Sequence, residues 1–298
     1  MCGIVGIFLK DAKLEPELGS MLASMLCVMT DRGPDSAGFA IYGAGDAEHV
    51  KFSLRAAEGF DFQGLAHSLS LTSGGTPRVT VRATHAVLEV PAAHASEVRA
   101  ALARHPDVAL VGAGTRMEVF KEVGLPSAVA TRFDLGTMRG THGIGHTRMA
   151  TESAVTTAGA HPFSTGDDQC LVHNGSLSNH NALRRALTRE GIAFATENDS
   201  EVAAGYLTWR MKQGASLGAA LEAGLKDLDG FFTFVVGTES GFGVLRDPIA
   251  CKPAVMAETD RYVAFGSEYR ALVDLPGIAK AKVFEPEPAT VYFWDRAA

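Results

Sequence analysis

The densest chemistry in the chain sits at its start. Cys2 follows the initiator Met1. A residue as small as cysteine in second place lets the initiator be removed, which would leave Cys2 as the free N-terminus. One residue would then carry both a thiol and an unacylated α-amine. Such an amine titrates near pH ~8, far below a lysine. It can act as general base at neutral pH while the sulfur acts as nucleophile. The competing reading is a cysteine without function at a frayed terminus. Two other pairs invite a chemical reading and do not sustain it. His142 and His146 stand four apart, but Gly143 and Gly145 argue against a helix. In a strand they share a face, yet no acid or cysteine nearby completes a metal set. Gly112-x-Gly114 lacks the third glycine and the distal acid of a dinucleotide fingerprint, and reads as a tight turn. His173, alone on a strand, reads as scaffold.

The elements that must position Cys2 are legible from period and punctuation. Ile4-Val5 between Gly3 and Gly6 predicts a buried strand over 1–9. Leu18, Met21, Leu22, Met25, Leu26 and Met29 recur at helical spacing, and Pro16 suits a first helical position, so a helix is expected over 16–29. Cys27 lies beside its apolar face and reads as a structural thiol. Residues 30–36 form a polar Gly-Pro loop. Strands are expected at 38–42, 50–54, 117–123, 141–147 and 169–173, with a short helix at 127–133. Residues 149–164 form a Thr-, Ala- and Gly-rich loop ending at His161-Pro162. Helices follow at 178–190, 199–211 and 217–228, the second capped by Asn198 or Asp199. Strands at 231–236, 243–246, 253–256, 262–265, 283–284 and 290–294, with a short helix at 268–273, close the chain. Between about 55 and 115 the pattern changes to a β-rich run over 79–90, a helix over 96–105 capped by Ser96, and a strand over 108–111. This reads as a small β-α-β unit inserted in the main fold.

Composition sets wide bounds. Of 298 residues, 46% are hydrophobic and 20% charged, ordinary for a globular chain that can bury a core. The net charge of −7, with no basic run, argues against nucleic acid and anionic membrane as partners. No apolar stretch approaches the roughly 20 residues of a membrane span, and no secretory signal opens the chain. The four cysteines, Cys2, Cys27, Cys170 and Cys251, are scattered without metal or disulfide spacing. A reduced, cytoplasmic setting is expected.

Four motifs stand in order: Met1-Cys2-Gly3-Ile4 with Arg32-Gly33-Pro34-Asp35-Ser36, then Gly145-His146-Thr147-Arg148 with Ala150-Thr151, then His173-Asn174-Gly175, then Asn198-Asp199-Ser200-Glu201. Together they resemble the class II glutamine amidotransferases, which are N-terminal-nucleophile hydrolases. The run Arg148-Met149-Ala150-Thr151-Glu152-Ser153 is most similar to the small amidotransferase-like subunit of N-methylglutamate synthase, itself related to the amidotransferase domain of glutamate synthase. The resemblance covers most of the chain outside about 55–115. It implies an α+β fold, the four-layer αββα sandwich, spanning 2–298 with the inserted segment.

The resemblance also implies roles. Cys2 would be the nucleophile. Asn174 and Gly175 would form the oxyanion hole from a side-chain amide and a backbone N–H, although Asn-Gly alone would read as a hairpin turn. Arg148 would read the α-carboxylate of glutamine, a task that a guanidinium fork suits. Asp199 would take the α-ammonium. Arg32, with Thr151, would belong to the substrate-binding set, and Arg32 would also place the N-terminal residue. Asp35 would be a turn residue. Met149 and Glu152 depart from the aromatic and the histidine of the glucosamine-phosphate enzymes.

No synthase, phosphoribosyltransferase or sugar-isomerase pattern follows. The resemblance therefore implies glutamate-synthase-like partner subunits, with flavin or iron–sulfur carried there and no cofactor in this chain. Glutamine or glutamate is the implied small-molecule substrate. Two other readings remain open at this point. One is a non-hydrolysing subunit that senses glutamine or glutamate, motivated by Glu152. The other is a hydrolase of a different amide, against which Arg148 and Asp199 argue.

Overall fold

A computed structural model describes residues 2–150 and 154–296. Two antiparallel sheets face each other. The first has seven strands in the order Lys282–Phe284, Val255–Glu258, Tyr262–Gly266, Gly3–Leu9, His142–Arg148, Ser36–Tyr42, Met117–Val123. The second has five, in the order Thr290–Asp295, Gly241–Arg246, Gly230–Gly237, Gln169–Leu177, Phe163–Gly166. The opening strand is central and all seven of its residues are buried, which is why it reads as an unbroken apolar run. Its side chains alternate between two cores. Ile4 and Phe8 meet Val172, Val235 and Phe242 between the sheets. Val5, Ile7 and Leu9 meet Leu22, Met25 and Leu26 of the helix Leu18–Cys27 on the outer side. The helices Asp199–Lys212 and Leu217–Asp227 cover the far face of the second sheet with Phe232, Phe234 and Leu245. The layers are therefore helix, sheet, sheet, helix, the αββα sandwich of N-terminal-nucleophile hydrolases.

Several expected elements change. The first α-helix begins at Leu18, and Pro16 lies in a preceding 3-10 turn, Ala12–Glu17. His94, not Ser96, occupies the cap position of the helix Ala95–Ala103, with no side-chain capping bond. Gly112 and Gly114 are no turn; they lie within the strand Ala109–Gly114. The turn comes next, at 115–116, where the Asp168 carboxylate accepts the backbone N–H groups of Thr115 and Arg116 and of Met117, which opens the next strand. Residues 49–114 are richer than a β-α-β unit. They form a four-stranded sheet, ordered Arg78–Arg82, His85–Pro91, His49–Arg55, Ala109–Gly114, with helices Phe62–Ser68 and Ala95–Ala103. Phe52 and Leu54 bury against Phe62, Val98 and Leu102 in a core of their own, so the strand 49–55 belongs to this sheet and not to the main one. No helix among the described residues is long and apolar enough to cross a membrane.

Burial leaves a titration signature. Burial holds His85, His142 and His146 down to about 3, His173 to about 4, and His161 well below 6.5. These imidazoles are neutral when folded and gain protons on unfolding. Their contribution to stability is complete above about pH 6.5 and is lost as pH falls toward the folded values, each by up to about 1.4 kcal/mol per pH unit. Denaturant melts across pH 7 to 4.5 should show stability falling steeply, with uptake of nearly five protons on unfolding near pH 5. A flat profile over that range would contradict the buried set.

Candidate active site

Antiparallel pairing places the chemistry at one end of the sandwich. Gly3 pairs with Thr147, and Ser36 pairs with Arg148 on the other side of the same strand. Cys2, Arg148 and the 30–36 loop thus share a sheet end. The main chain of Cys2 is held by its carbonyl, which accepts from Arg32 Nε at 3.0 Å and from Asn174 Nδ2 at 3.2 Å. Arg32 in turn pairs with Glu268 at 2.7 Å. The Cys2 thiol lies 3.9 Å from the Met149 carbonyl. Asp35 is more than a turn residue: its carboxylate accepts the Ala150 N–H at 2.7 Å, fixing the start of the following loop.

Cys2, Arg148, Asn174, Gly175 and Asp199 all line one cavity of about 740 Å³. Arg32 does not line it. Its Nε donates to the Cys2 carbonyl and its Nη1 to Glu268, so it holds the main chain of Cys2 in place. Met1, Thr151 and Glu152, on which three expectations fell, lie outside the described residues.

Asn174-Gly175 is not a hairpin turn. Both residues sit inside the strand Gln169–Leu177, opposite Thr233 and Phe232. Beyond Leu171 the neighbouring strand Phe163–Gly166 stops pairing, and that edge opens to the cavity. Leu177 directs its N–H across this edge to Asp199 Oδ2 at 2.9 Å. Peptide groups alternate along a strand, so Gly175 directs its N–H to the same open edge. Gly175 has φ +152°, and a Cβ there would strike the Phe231 carbonyl. Only glycine fits.

Asp199 is not the helix cap. Asn198 caps, accepting the Ser200 N–H at 2.8 Å, and leaves the Asp199 carboxylate at the cavity wall. Behind it stands a cluster that the sequence did not reveal. His161 Nε2 and His173 Nδ1 each lie 2.9 Å from the Ser200 hydroxyl. His146 stacks on His161 at 3.9 Å and donates to the His173 carbonyl at 3.1 Å. His173 remains scaffold in part, but it also lines the cavity with His161, Ser200 and Lys252. His161 and Ser200 are 39 residues apart, and no local spacing signals their contact. His142 stacks on Tyr42 and bonds the Thr238 carbonyl, away from the cavity. Cys27 is half-buried against the outer core, with its thiol pushed up by burial.

As a chemical device the cavity offers a thiol, an amide donor and a backbone N–H at one end, and a guanidinium and a carboxylate about it. That set can hold a zwitterionic amino acid and attack a carbonyl on its side chain.

Comparison with known proteins gives the family. Residues 146–274 match the family described as Glutamine amidotransferase domain. The chain is 66% identical over 297 residues to the glutamine amidotransferase-like protein GlxB of Rhizobium meliloti, covering 99% of this chain and 98% of that one. It is 35% identical over 305 residues to a putative glutamine amidotransferase of Methanothermobacter thermautotrophicus, covering 98% and 99%. Over 129 residues it is 34% identical to the glutamine–fructose-6-phosphate aminotransferase of Idiomarina loihiensis, which is 43% of this chain and 21% of that one. Among solved structures, the glutamine phosphoribosylpyrophosphate amidotransferase of B. subtilis aligns with TM-score 0.63 at 19% identity, over 99% of this chain and 47% of that one. That likeness establishes the fold.

The geometry makes Gly175 the least replaceable residue of the cavity. Gly175→Ala should lower stability by about 1–3 kcal/mol through its backbone conformation alone, before the clash with Phe231 is counted. Urea unfolding checks it; an unchanged midpoint would show that the strand can bend away.

Proposed function

The chain belongs to the glutamine amidotransferase family, and on that premise we propose that it is a class II glutaminase that hydrolyses the side-chain amide of glutamine through a Cys2 thioester. The observation that carries this is the convergence of Cys2, Arg148, Asn174, Gly175 and Asp199, from four separate segments, on one cavity. Arg148 and Asp199 hold the α-carboxylate and α-ammonium. The Cys2 thiolate attacks the amide carbon. The second N–H of the Asn174 amide, left over from its bond to the Cys2 carbonyl, and the Gly175 N–H receive the oxyanion. The α-amine freed by loss of Met1 carries the thiol proton to the departing ammonia. Water then cleaves the thioester and releases glutamate.

The ammonia serves a partner synthase. In the aminotransferase relative the matched region is 21% of the chain, so most of that protein lies elsewhere. The Met149-to-Ser153 run supports an N-methylglutamate synthase complex, with methylamine metabolism as its setting and flavin or iron–sulfur on the partners.

Cys2→Ala should abolish glutaminase activity and leave thermal stability unchanged. Mass spectrometry of the native protein should find Cys2 as the first residue. Activity retained in Cys2→Ala, or a retained Met1 in active protein, sinks the mechanism. Tight binding of glutamine without turnover, even beside partner subunits, would instead favour the sensing role.

A further inference from the structure

The loop that forms one wall of the cavity is held by a buried cation. Residues Ala154, Thr156, Ala158, Gly159 and His161 face the cavity from this loop. Lys121, in the edge strand Met117–Val123, is 7% exposed and points between the sheets. Its Nζ lies 3.3 Å from the Ala158 carbonyl, 2.8 Å from that of Ala160 and 3.2 Å from that of Pro162. An ammonium has three N–H donors, and here three carbonyls take them. The Phe163 ring packs 4.6 Å from the same nitrogen. Among the described residues no carboxylate pairs with it. Gly38, opposite Lys121 in the sheet, makes room: a Cβ there would strike the His161 carbonyl and the Lys121 stem.

Burying an unpaired ammonium is a poor way to gain stability, because an apolar side chain of the same length would avoid its desolvation. What the ammonium does is fix three carbonyls within five residues. The fixed segment reaches both ends of the proposed amino-acid clamp. A Cβ at Gly159 would lie 3.5 Å from Arg148 Nη1, which also donates to the Ala154 carbonyl earlier in the loop at 3.3 Å. His161 reaches Ser200, whose hydroxyl is 3.4 Å from Asp199 Oδ1.

We propose that Lys121 is a positioning residue that sets the cavity wall so that Arg148 and Asp199 are spaced for a free amino acid. This rests on the glutaminase reading above. Burial lowers the Lys121 pKa to about 8. The Cys170 thiol and Glu201 oppose that lowering, Arg55 adds to it, and His161 and His85 face it as neutral rings. The ammonium therefore gives up its proton as pH rises through about 8, and the wall loosens.

The test is Lys121→Met in the full chain, which keeps the stem and removes the charge. KM for glutamine and the inhibition constant for glutamate should rise together, by about tenfold or more, because substrate and product share both ends of the clamp; kcat should change by less than about threefold. Unchanged KM, or a fall in kcat alone, overturns the proposal. If the variant does not fold, hydrogen exchange in the wild-type protein decides. Between pH 7.5 and 9.5, after correction for intrinsic rates, protection of 158–162 should fall at least tenfold while the opening strand stays protected. Equal protection at both pH values overturns the proposal. Wild-type protein that hydrolyses no glutamine would refute the glutaminase reading, and Lys121 would then stand or fall on the exchange result.

Discussion

The pairing of Gly3–Leu9 with His142–Arg148 is the constraint on which the rest depends. It makes residues 3–9 the middle of a seven-stranded sheet, with both faces covered. A terminus is ordinarily the least ordered part of a domain. Here the strand has neighbours on both sides and cores above and below, so Cys2 emerges from a fully buried central strand. The carbonyl of Cys2 then binds Arg32 and Asn174, one from each sheet's end of the sandwich. Cys2 is thus placed by its main chain, while its thiol faces the Met149 carbonyl at the cavity.

The cavity is built from neutral groups around a few charges. His146, His161 and His173 are buried and uncharged at neutral pH, because burial outweighs the nearby Asp199 carboxylate. The stacking of His146 on His161, and the contact of His161 and His173 with Ser200, fill the space behind Asp199 without adding positive charge to it. In the proposed reading, Arg148 then meets the ligand carboxylate, and Asp199 the ligand ammonium, without a protonated cluster beneath them.

What the sequence disclosed and what it withheld follow a physical division. Elements set by local period were legible: the strand 117–123 matches residue for residue, and the helix expected at 199–211 runs to Lys212. The residues that converge on the cavity were legible because they sit in short motifs that keep them adjacent, as in Asn174-Gly175 and Asp199-Ser200. Features that depend on distant contact were not. The strand Phe163–Gly166 is four residues long with mixed polarity, and only its edge position beside Gln169–Leu177 defines it. Gly112 and Gly114 look like turn residues, but Met117, Val119 and Asp168 leave no room for side chains there, and the chain stays extended. The His161–Ser200–His173 contact joins three segments, and nothing in any one of them announces the other two.

The inserted sheet is part of the same logic. Glu122, next to Lys121, turns its side chain to the opposite face of the edge strand. There it accepts from Thr84, in the hairpin joining Arg78–Arg82 to His85–Pro91, and from Thr157, in the cavity wall. Two consecutive residues of one strand thus grip the wall from two directions, Lys121 by its carbonyls and Glu122 by a side chain. The hydrogen bonds of Glu122 hold its carboxyl below the usual range despite partial burial, so the grip is charged at neutral pH. One carboxylate thus joins the Thr84 hairpin of the inserted sheet to Thr157 of the wall, residues 73 apart in the sequence.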